Sequence, residues 1–243
     1  MSTTTPVHRS MPAPAANAAP SAGDGPAVIM SRLAGLSALG FIAFLVGDGV
    51  RVGSPNPSTV GPSQAVAWVH QHQQAIALHG FLAGLENTLF ALFTVLLVAV
   101  IGARGVLPII AYLGVAVSMA TGWVLAGVMY GLAELVQGGG ADAGIQVLFT
   151  LGNSMLDADD VAVGLALLCL GVLLLRTRAL PIALGWYALV LGILYLFGVP
   201  LTLAGVGVID PIMLGLALLW LLMMGITLLI RPVRSVAYQP IGA

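Results

Sequence analysis

Long apolar runs alternate with short polar connections along most of the chain. The runs cover residues 28–46, 80–101, 106–132, 161–175, 182–203 and 212–230. A helix needs about 20 mainly apolar residues to cross the hydrocarbon core of a bilayer, which is about 30 Å thick. The pattern therefore predicts an all-α fold, a polytopic transmembrane helical bundle with six spans.

The more polar segments predict how the rest of the chain is organised. Residues 1–27 are rich in Ala, Pro, Ser and Thr, and they predict a disordered cytoplasmic tail. This tail is followed by a membrane domain over 28–231 and then by a short cytoplasmic tail over 232–243. Residues 64–78 contain good helix formers, so they predict an outer interfacial helix with Trp68 at the level of the lipid headgroups.

The arginines predict the orientation of the spans. With the N-terminus inside, only Arg51 of the eight basic residues falls outside. Arginine is retained on the cytoplasmic side of membrane proteins, so both termini are predicted to be cytoplasmic, in a multi-pass protein of the plasma membrane. The seven inner arginines are Arg9, Arg32, Arg104, Arg176, Arg178, Arg231 and Arg234.

The composition agrees with a membrane protein and excludes several functions. Hydrophobic residues make up 59% of the chain and charged residues 7%, and the mean hydropathy is +1.06. The net charge is −1 and no lysine occurs, so the chain offers no basic surface for nucleic acid and no amine for a Schiff base. The lipid bilayer is the predicted partner, and no cofactor is predicted.

Glu86 is the first candidate for a functional residue. It lies about six residues inside the second run, roughly 9 Å below the outer edge of the span. An ionisable side chain at that depth must face the bundle interior or a wet cavity. Glu86 is interpreted as a proton-transfer group or cation ligand, or else as part of an interhelical hydrogen-bonded clasp with Asn87 and Thr88.

Two histidines extend this candidate site. His72, His79 and Glu86 are spaced by seven residues, so in a continuous helix they lie on one stripe. Such a stripe predicts a proton relay from the outer surface to Glu86. The alternative is that the histidines lie exposed at the membrane boundary. Seven residues span about 10 Å of helix, too far for two of these side chains to bind one metal ion.

A second acidic group lies at the end of the connection 133–160, which is glycine-rich and predicts a flexible loop. Asp157, Asp159 and Asp160 precede the fourth run, where Asp157 and Asp160 are predicted to cap the start of its helix. An outer cation site formed by Asp157, Asp160 and Glu134 is a weaker alternative, and no metal is predicted.

Pairs of glycines four residues apart predict close helix packing in the second and third runs. They are Gly80 with Gly84 and Gly127 with Gly131. Small residues at this spacing let two helix backbones approach each other in a membrane. A second copy of the chain or another membrane protein is a possible partner of these faces.

The region 153–198 combines an outer acidic residue, an apolar span with spaced glycines, a short basic turn that ends in proline, and a glycine-bearing span. These features are Asp157 or Asp160, Gly164, Gly171, Arg176, Arg178, Pro181, Gly185 and Gly192. With the Arg32-Leu33-Ala34-Gly35 entry into the first span, they resemble bacterial six-span integral membrane proteins grouped in a family of unknown function. Those relatives often carry an aromatic residue after the acidic one and a histidine in the fourth span, and this chain carries neither. The resemblance implies a fold and a membrane location but no activity.

Two functions follow from these observations. The leading prediction is a non-enzymatic membrane protein, namely a small transporter, sensor or accessory subunit, with a polar site in its outer half around Glu86. The alternative is a membrane-embedded enzyme that acts on a lipid or isoprenoid and uses Glu86 as a general acid.

Overall fold

The computed structural model of the protein describes residues 24–52, 62–203 and 209–233. Residues 1–23 and 234–243, which make up most of the two predicted tails, lie outside the described residues. Within the described part the chain is helical and contains no strand. This confirms the all-α class.

The described residues form six helices in succession. They are α1 (Asp24–Val52), α2 (Pro62–Val100), α3 (Val106–Gln137), α4 (Asp142–Thr177), α5 (Ile182–Leu203) and α6 (Ile209–Ile230). Each contains a segment that is long and apolar enough to cross a membrane. The prediction of six apolar helices, compatible with an integral membrane protein, is therefore confirmed.

The helices are arranged as a closed ring. Each helix contacts the next one along the chain, α6 returns to contact α1, and α2 also contacts α4 across the ring. Phe93 of α2 and Trp220 of α6 are fully buried and meet edge to face, with ring centroids 5.8 Å apart. The main hydrophobic core therefore fills the space enclosed by the ring.

Glycines bring the backbones of α4 and α5 together. A Cβ atom built on Gly171 would lie 2.5 Å from the Leu189 nitrogen and 2.9 Å from the Gly185 oxygen. One built on Gly164 would lie 3.3 Å from the Gly192 oxygen. Because the glycines are seven residues apart on both antiparallel helices, two turns of each helix pack without side chains between them.

The start of α1 and the end of α6 meet at one end of the bundle. The Ser31 hydroxyl lies 3.4 Å from the Leu228 carbonyl oxygen, and the Val233 amide donates a hydrogen bond of 3.1 Å to Ser31 Oγ. The α2–α3 and α4–α5 turns lie at this same end because the helices run alternately up and down. We call it the arginine end, and we call the opposite end, where α3 connects to α4, the acidic end. The arginine end carries Arg32, Arg104, Arg176, Arg178 and Arg231.

The three longest helices extend well beyond what a bilayer requires. Helices α2, α3 and α4 contain 39, 32 and 36 residues, which corresponds to about 48 Å or more at 1.5 Å per residue. They extend past α5 and α6 at the acidic end, where they enclose a second hydrophobic cluster. We call this part the three-helix extension. Its cluster consists of Ala65, Val69, Ile76, Leu125, Met129, Leu132, Val136, Ile145 and Phe149.

The prediction of a flexible loop over 133–160 is wrong. Only residues 138–141 connect α3 to α4, and the turn uses Gly139 with a φ of 70°. Ile145 and Phe149 are buried in the three-helix extension, so packing favours a helix in a segment whose glycines suggested a loop. Residues 157–160 therefore lie inside α4, and the predicted cap at its start is also wrong.

Residues 64–78, the predicted interfacial helix, form the first part of α2. They pack in the three-helix extension through Ala65, Val69 and Ile76. Helix α2 deviates from helical geometry at His72, where φ is −115° and ψ is 17°.

Candidate functional site

Glu86 is buried on the side of α2 that faces the ring interior. Its exposed fraction is 6%. Phe90 and Phe93, four and seven residues further on, lie on the same side of the helix and belong to the main hydrophobic core. Glu86 thus lies at the border of that core, on the side of the acidic end.

Asn87 and Thr88 lie on another side of α2 and hold it to α3. Asn87 Nδ2 donates a hydrogen bond of 2.9 Å to the Ser118 carbonyl oxygen. Trp123 Nε1 donates one of 3.1 Å to Thr88 Oγ1, which in turn donates to the Gly84 carbonyl oxygen at 2.8 Å. These two residues therefore form an interhelical clasp between α2 and α3.

The clasp depends on glycines at the α2–α3 contact. A Cβ atom on Gly122 would lie 2.6 Å from Asn87 Nδ2, and one on Gly84 would lie 2.9 Å from the Trp123 ring. Gly80 likewise lies against Met129. The face formed by Gly80 and Gly84 is thus covered by α3 of the same chain.

The second glycine pair lies in a different environment. A Cβ atom on Gly127 or Gly131 would have no described neighbour within 4 Å. A partner that binds through either pair of glycines stays a prediction.

Asp159 faces the same clasp from α4, the helix that packs next to both α2 and α3. Its Oδ1 atom lies 3.2 Å from Thr121 Oγ1, and the side chains of Ser118 and Asn87 also approach its carboxylate. Ser118 is fully buried, whereas Asp159 is half-buried. We call Asn87, Ser118, Thr121 and Asp159 the polar layer.

The polar layer separates the two hydrophobic clusters of the molecule. On α2 the cluster of the three-helix extension reaches Ala83, and the main core begins at Phe90. On α3 the corresponding residues are Leu125 and Val115. Polar side chains are therefore concentrated at one level of the bundle, between two apolar levels.

The three residues of the predicted proton relay lie on two parts of α2. His72 lies at the kink, where its Nδ1 donates to the Trp68 carbonyl oxygen at 2.9 Å and its ring stacks on Trp68 at 4.8 Å. His79 and Glu86 lie in the continuous part of the helix beyond it. The helical stripe that the sequence suggested is thus interrupted at His72, and a relay through these residues stays a prediction.

The acidic residues proposed as weaker metal ligands lie on two helices. Glu134 is exposed near the end of α3, and Asp157 and Asp160 are half-buried in α4. Among the residues that the structure describes, no three His, Cys, Asp or Glu side chains are grouped so that they could hold a metal ion.

Sequence reasoning missed Ser118 and Thr121 and gave Asp159 no role of its own. Ser118 and Thr121 are spaced by three residues in an apolar run and are followed by Gly122, which is a pattern typical of a polar helix contact. Asp159 could be assigned to that contact only once α4 was known to begin at Asp142.

Comparison with known proteins adds no family assignment. No protein-family model, no curated protein and no solved structure matches the chain.

Proposed function

We propose that the protein is a non-enzymatic, proton-linked transporter of the plasma membrane, and that Glu86 is the group that takes up and releases the proton. Sensors and accessory subunits are the neighbouring roles in the same class. We also propose that both termini are cytoplasmic and that the chain is a relative of the six-span bacterial membrane proteins it resembles.

The burial of Glu86 among six apolar helices is the observation that carries the proposal. A carboxylate inside a membrane bundle is costly, because the apolar surroundings solvate the charge poorly. Taking up a proton removes that charge, so the state of Glu86 depends on the proton concentration on the side to which it is open. This is the property that a proton-linked carrier requires.

The neighbours of Glu86 connect protonation of its carboxylate to the packing of α2 against α3. Asn87, the next residue, holds α2 to α3 through the Ser118 carbonyl oxygen. A change of charge at Glu86 alters how favourably this part of α2 packs in the bundle. Movement of α2 against α3 would then expose the site to one side of the membrane or the other.

The arginines support the proposed orientation. Five of them lie at the arginine end of the described helices. A concentration of arginine at one side of a membrane protein is typical of the cytoplasmic side. Glu86, about 21 Å along α2 from its last residue at the arginine end, would then lie in the outer half of the membrane.

Proton flux into liposomes tests the proposal. The purified full chain is reconstituted with a pH-sensitive dye inside, and a potassium diffusion potential drives protons inward. We expect Glu86→Gln to reduce the protein-dependent flux at least tenfold, because glutamine keeps the shape of the side chain but cannot carry a proton. Glu134→Gln is the matched control, since Glu134 is exposed near the end of α3, and it should retain the parent flux.

Two results would reject the proposal. If Glu86→Gln conducts protons as the parent does, Glu86 is a packing residue. If neither protein carries protons but the parent turns over a lipid and Glu86→Gln still binds that lipid without turnover, the protein is a membrane-embedded enzyme.

A further inference from the structure

We infer that the polar layer is a binding site for a small monovalent cation such as Na⁺, held by oxygen atoms of Asp159, Ser118 and Thr121. None of these residues is Glu86, so the inference goes beyond the proposed proton site. It holds or fails independently of that site.

The Thr121 hydroxyl has more oxygen neighbours than it has hydrogens to give them. The Thr121 hydroxyl carries one hydrogen, yet its oxygen lies 2.8 Å from the Ser118 carbonyl oxygen, 3.1 Å from that of Val117 and 3.2 Å from Asp159 Oδ1. The hydroxyl can donate fully to only one of them. If it donates to the nearest, the contact with Asp159 sets oxygen against oxygen, and a cation between them turns that contact into an attraction.

Ser118 provides an independent sign of a missing ligand. The residue is fully buried, and its Oγ atom makes no hydrogen bond of good geometry within the described part of the chain, although it approaches the Asp159 carboxylate. A buried hydroxyl without a partner is costly, and natural proteins rarely leave one. The Ser118 side chain faces Asp159, so a cation at the carboxylate would also be bound by this oxygen.

The charge of the polar layer selects a monovalent cation. Asp159 is its single ionisable side chain, and the layer is closed by apolar clusters above and below. One positive charge makes the site neutral, whereas a divalent ion would leave an unbalanced charge among apolar helices. Carboxylate and hydroxyl oxygens are hard ligands, which suit alkali cations better than the softer transition metals.

Helix α4 offers Asp159 no nearby basic group in place of an ion. Lysine is absent from the sequence. Arg176 of α4 lies 17 residues from Asp159, which is about 25 Å along the helix. Asp159 is only half-buried, so an ion could reach the carboxylate without unfolding of the bundle.

Thermal unfolding at constant pH tests the inference. Cys169 is the single cysteine and is buried, so a thiol-reactive dye reports when the full-length protein unfolds. Unfolding is followed while NaCl replaces choline chloride at constant ionic strength. A ligand bound to the folded state alone should raise Tm by about 5 °C when Na⁺ exceeds its Kd a hundredfold, and the rise should saturate.

Variants of the layer separate a bound ion from a general salt effect. Asp159→Asn should abolish the Na⁺ response, and Ser118→Ala and Thr121→Val should each weaken it at least tenfold in apparent Kd. Glu86→Gln should keep the full response, whether or not it loses proton flux. If Asp159→Asn does not fold, the Ser118 and Thr121 variants and the binding of radioactive ²²Na⁺ to the parent decide the question.

Three results would overturn the inference. The first is equal Tm in Na⁺ and choline. The second is a Na⁺ response that survives in all three variants. The third is stability that depends on pH through Asp159 but not on Na⁺, because the layer would then hold a proton and not a metal cation.

Discussion

Helix α4 packs against two neighbours in different ways. Against α5 it presents Gly164 and Gly171, whose backbones nearly touch those of Gly192 and Gly185. Against α3 it has a close contact of Ala162 with Gly114, where a Cβ atom would lie 2.9 Å from the Ala162 oxygen. At the level of the polar layer it also presents Asp159, whose carboxylate meets a threonine hydroxyl at 3.2 Å. The first contact has no polar side chain between its glycines, and the second contains most of the polar layer.

The difference separates a contact that is fixed along two helical turns from one that is adjustable at the level of the polar layer. Backbones packed through glycine leave no room for a shift, because any displacement creates either a clash or a void. A contact made through hydroxyl, amide and carboxylate groups can replace one hydrogen bond by another, or by an ion or a proton, provided that each buried group keeps a partner. We therefore expect α4 and α5 to stay packed together, and a rearrangement on uptake of a proton or an ion to begin at the level of the polar layer.

The largest effect is expected from breaking the glycine contact. Gly171→Leu would place its side chain against the Leu189 nitrogen, from which even a Cβ atom would be only 2.5 Å away. Because a helix backbone cannot yield there, we expect a loss of stability of about 3 kcal/mol or more, measured by thermal unfolding with the Cys169 thiol assay. Gly127→Leu is the matched control, since its Cβ atom would meet open space. Equal stability of the two variants would contradict the fixed contact.

A smaller effect is expected at the clasp. Gly122→Ala puts a Cβ atom 2.6 Å from Asn87 Nδ2, so the amide must swing away from the Ser118 carbonyl oxygen. We expect a loss of about 1–2 kcal/mol, because the hydrogen bond is lost but the flexible side chain can move. In an Asn87→Ala background the same substitution should cost less, since the clashing amide is gone and only the Cβ atom at position 87, 3.0 Å away, remains. An undiminished cost in that background would mean that the Asn87 amide is not the neighbour that matters.

The smallest effect is expected at the rim of the clasp. Trp123→Phe removes the indole N–H that donates to Thr88 Oγ1 at 3.1 Å. Trp123 is 43% exposed, so we expect a loss of only about 0.5–1 kcal/mol in a denaturant titration. Trp186→Phe, on a side chain that is 56% exposed, serves as the control and should change stability less. If Trp186→Phe lowered stability more than Trp123→Phe, the indole N–H of Trp123 would not contribute to the clasp.

The spans could be predicted from the sequence, but the ends of the longer helices could not. Hydropathy placed the fourth span at 161–175, whereas α4 runs from Asp142 to Thr177. The missing turns are stabilised by Ile145 and Phe149 packing against α2 and α3, and a window of local hydropathy does not contain those distant partners. The same limit applied to the connection 133–160, where glycines suggested a loop.

The candidate site was predicted in part. A charged residue in an apolar run stands out, so Glu86 and the polar pair beside it could be found from the sequence. Their division into a buried carboxyl and a clasp could not, because it depends on the rotation of α2 about its axis. Ser118 carries no charge and looks like an ordinary small residue, so its buried, unpartnered hydroxyl became visible only in the folded chain.

The sequence alone determined that the chain is helical and that six of its segments are long and apolar enough to cross a membrane. Both follow from properties summed over neighbouring residues, and such sums need no knowledge of the fold. Only the tertiary structure decided which polar groups meet, since Asn87 and Ser118 are 31 positions apart and Thr121 and Asp159 are 38 apart. Their meeting depends on how three helices are rotated and offset, and packing of side chains over the whole bundle sets those two quantities.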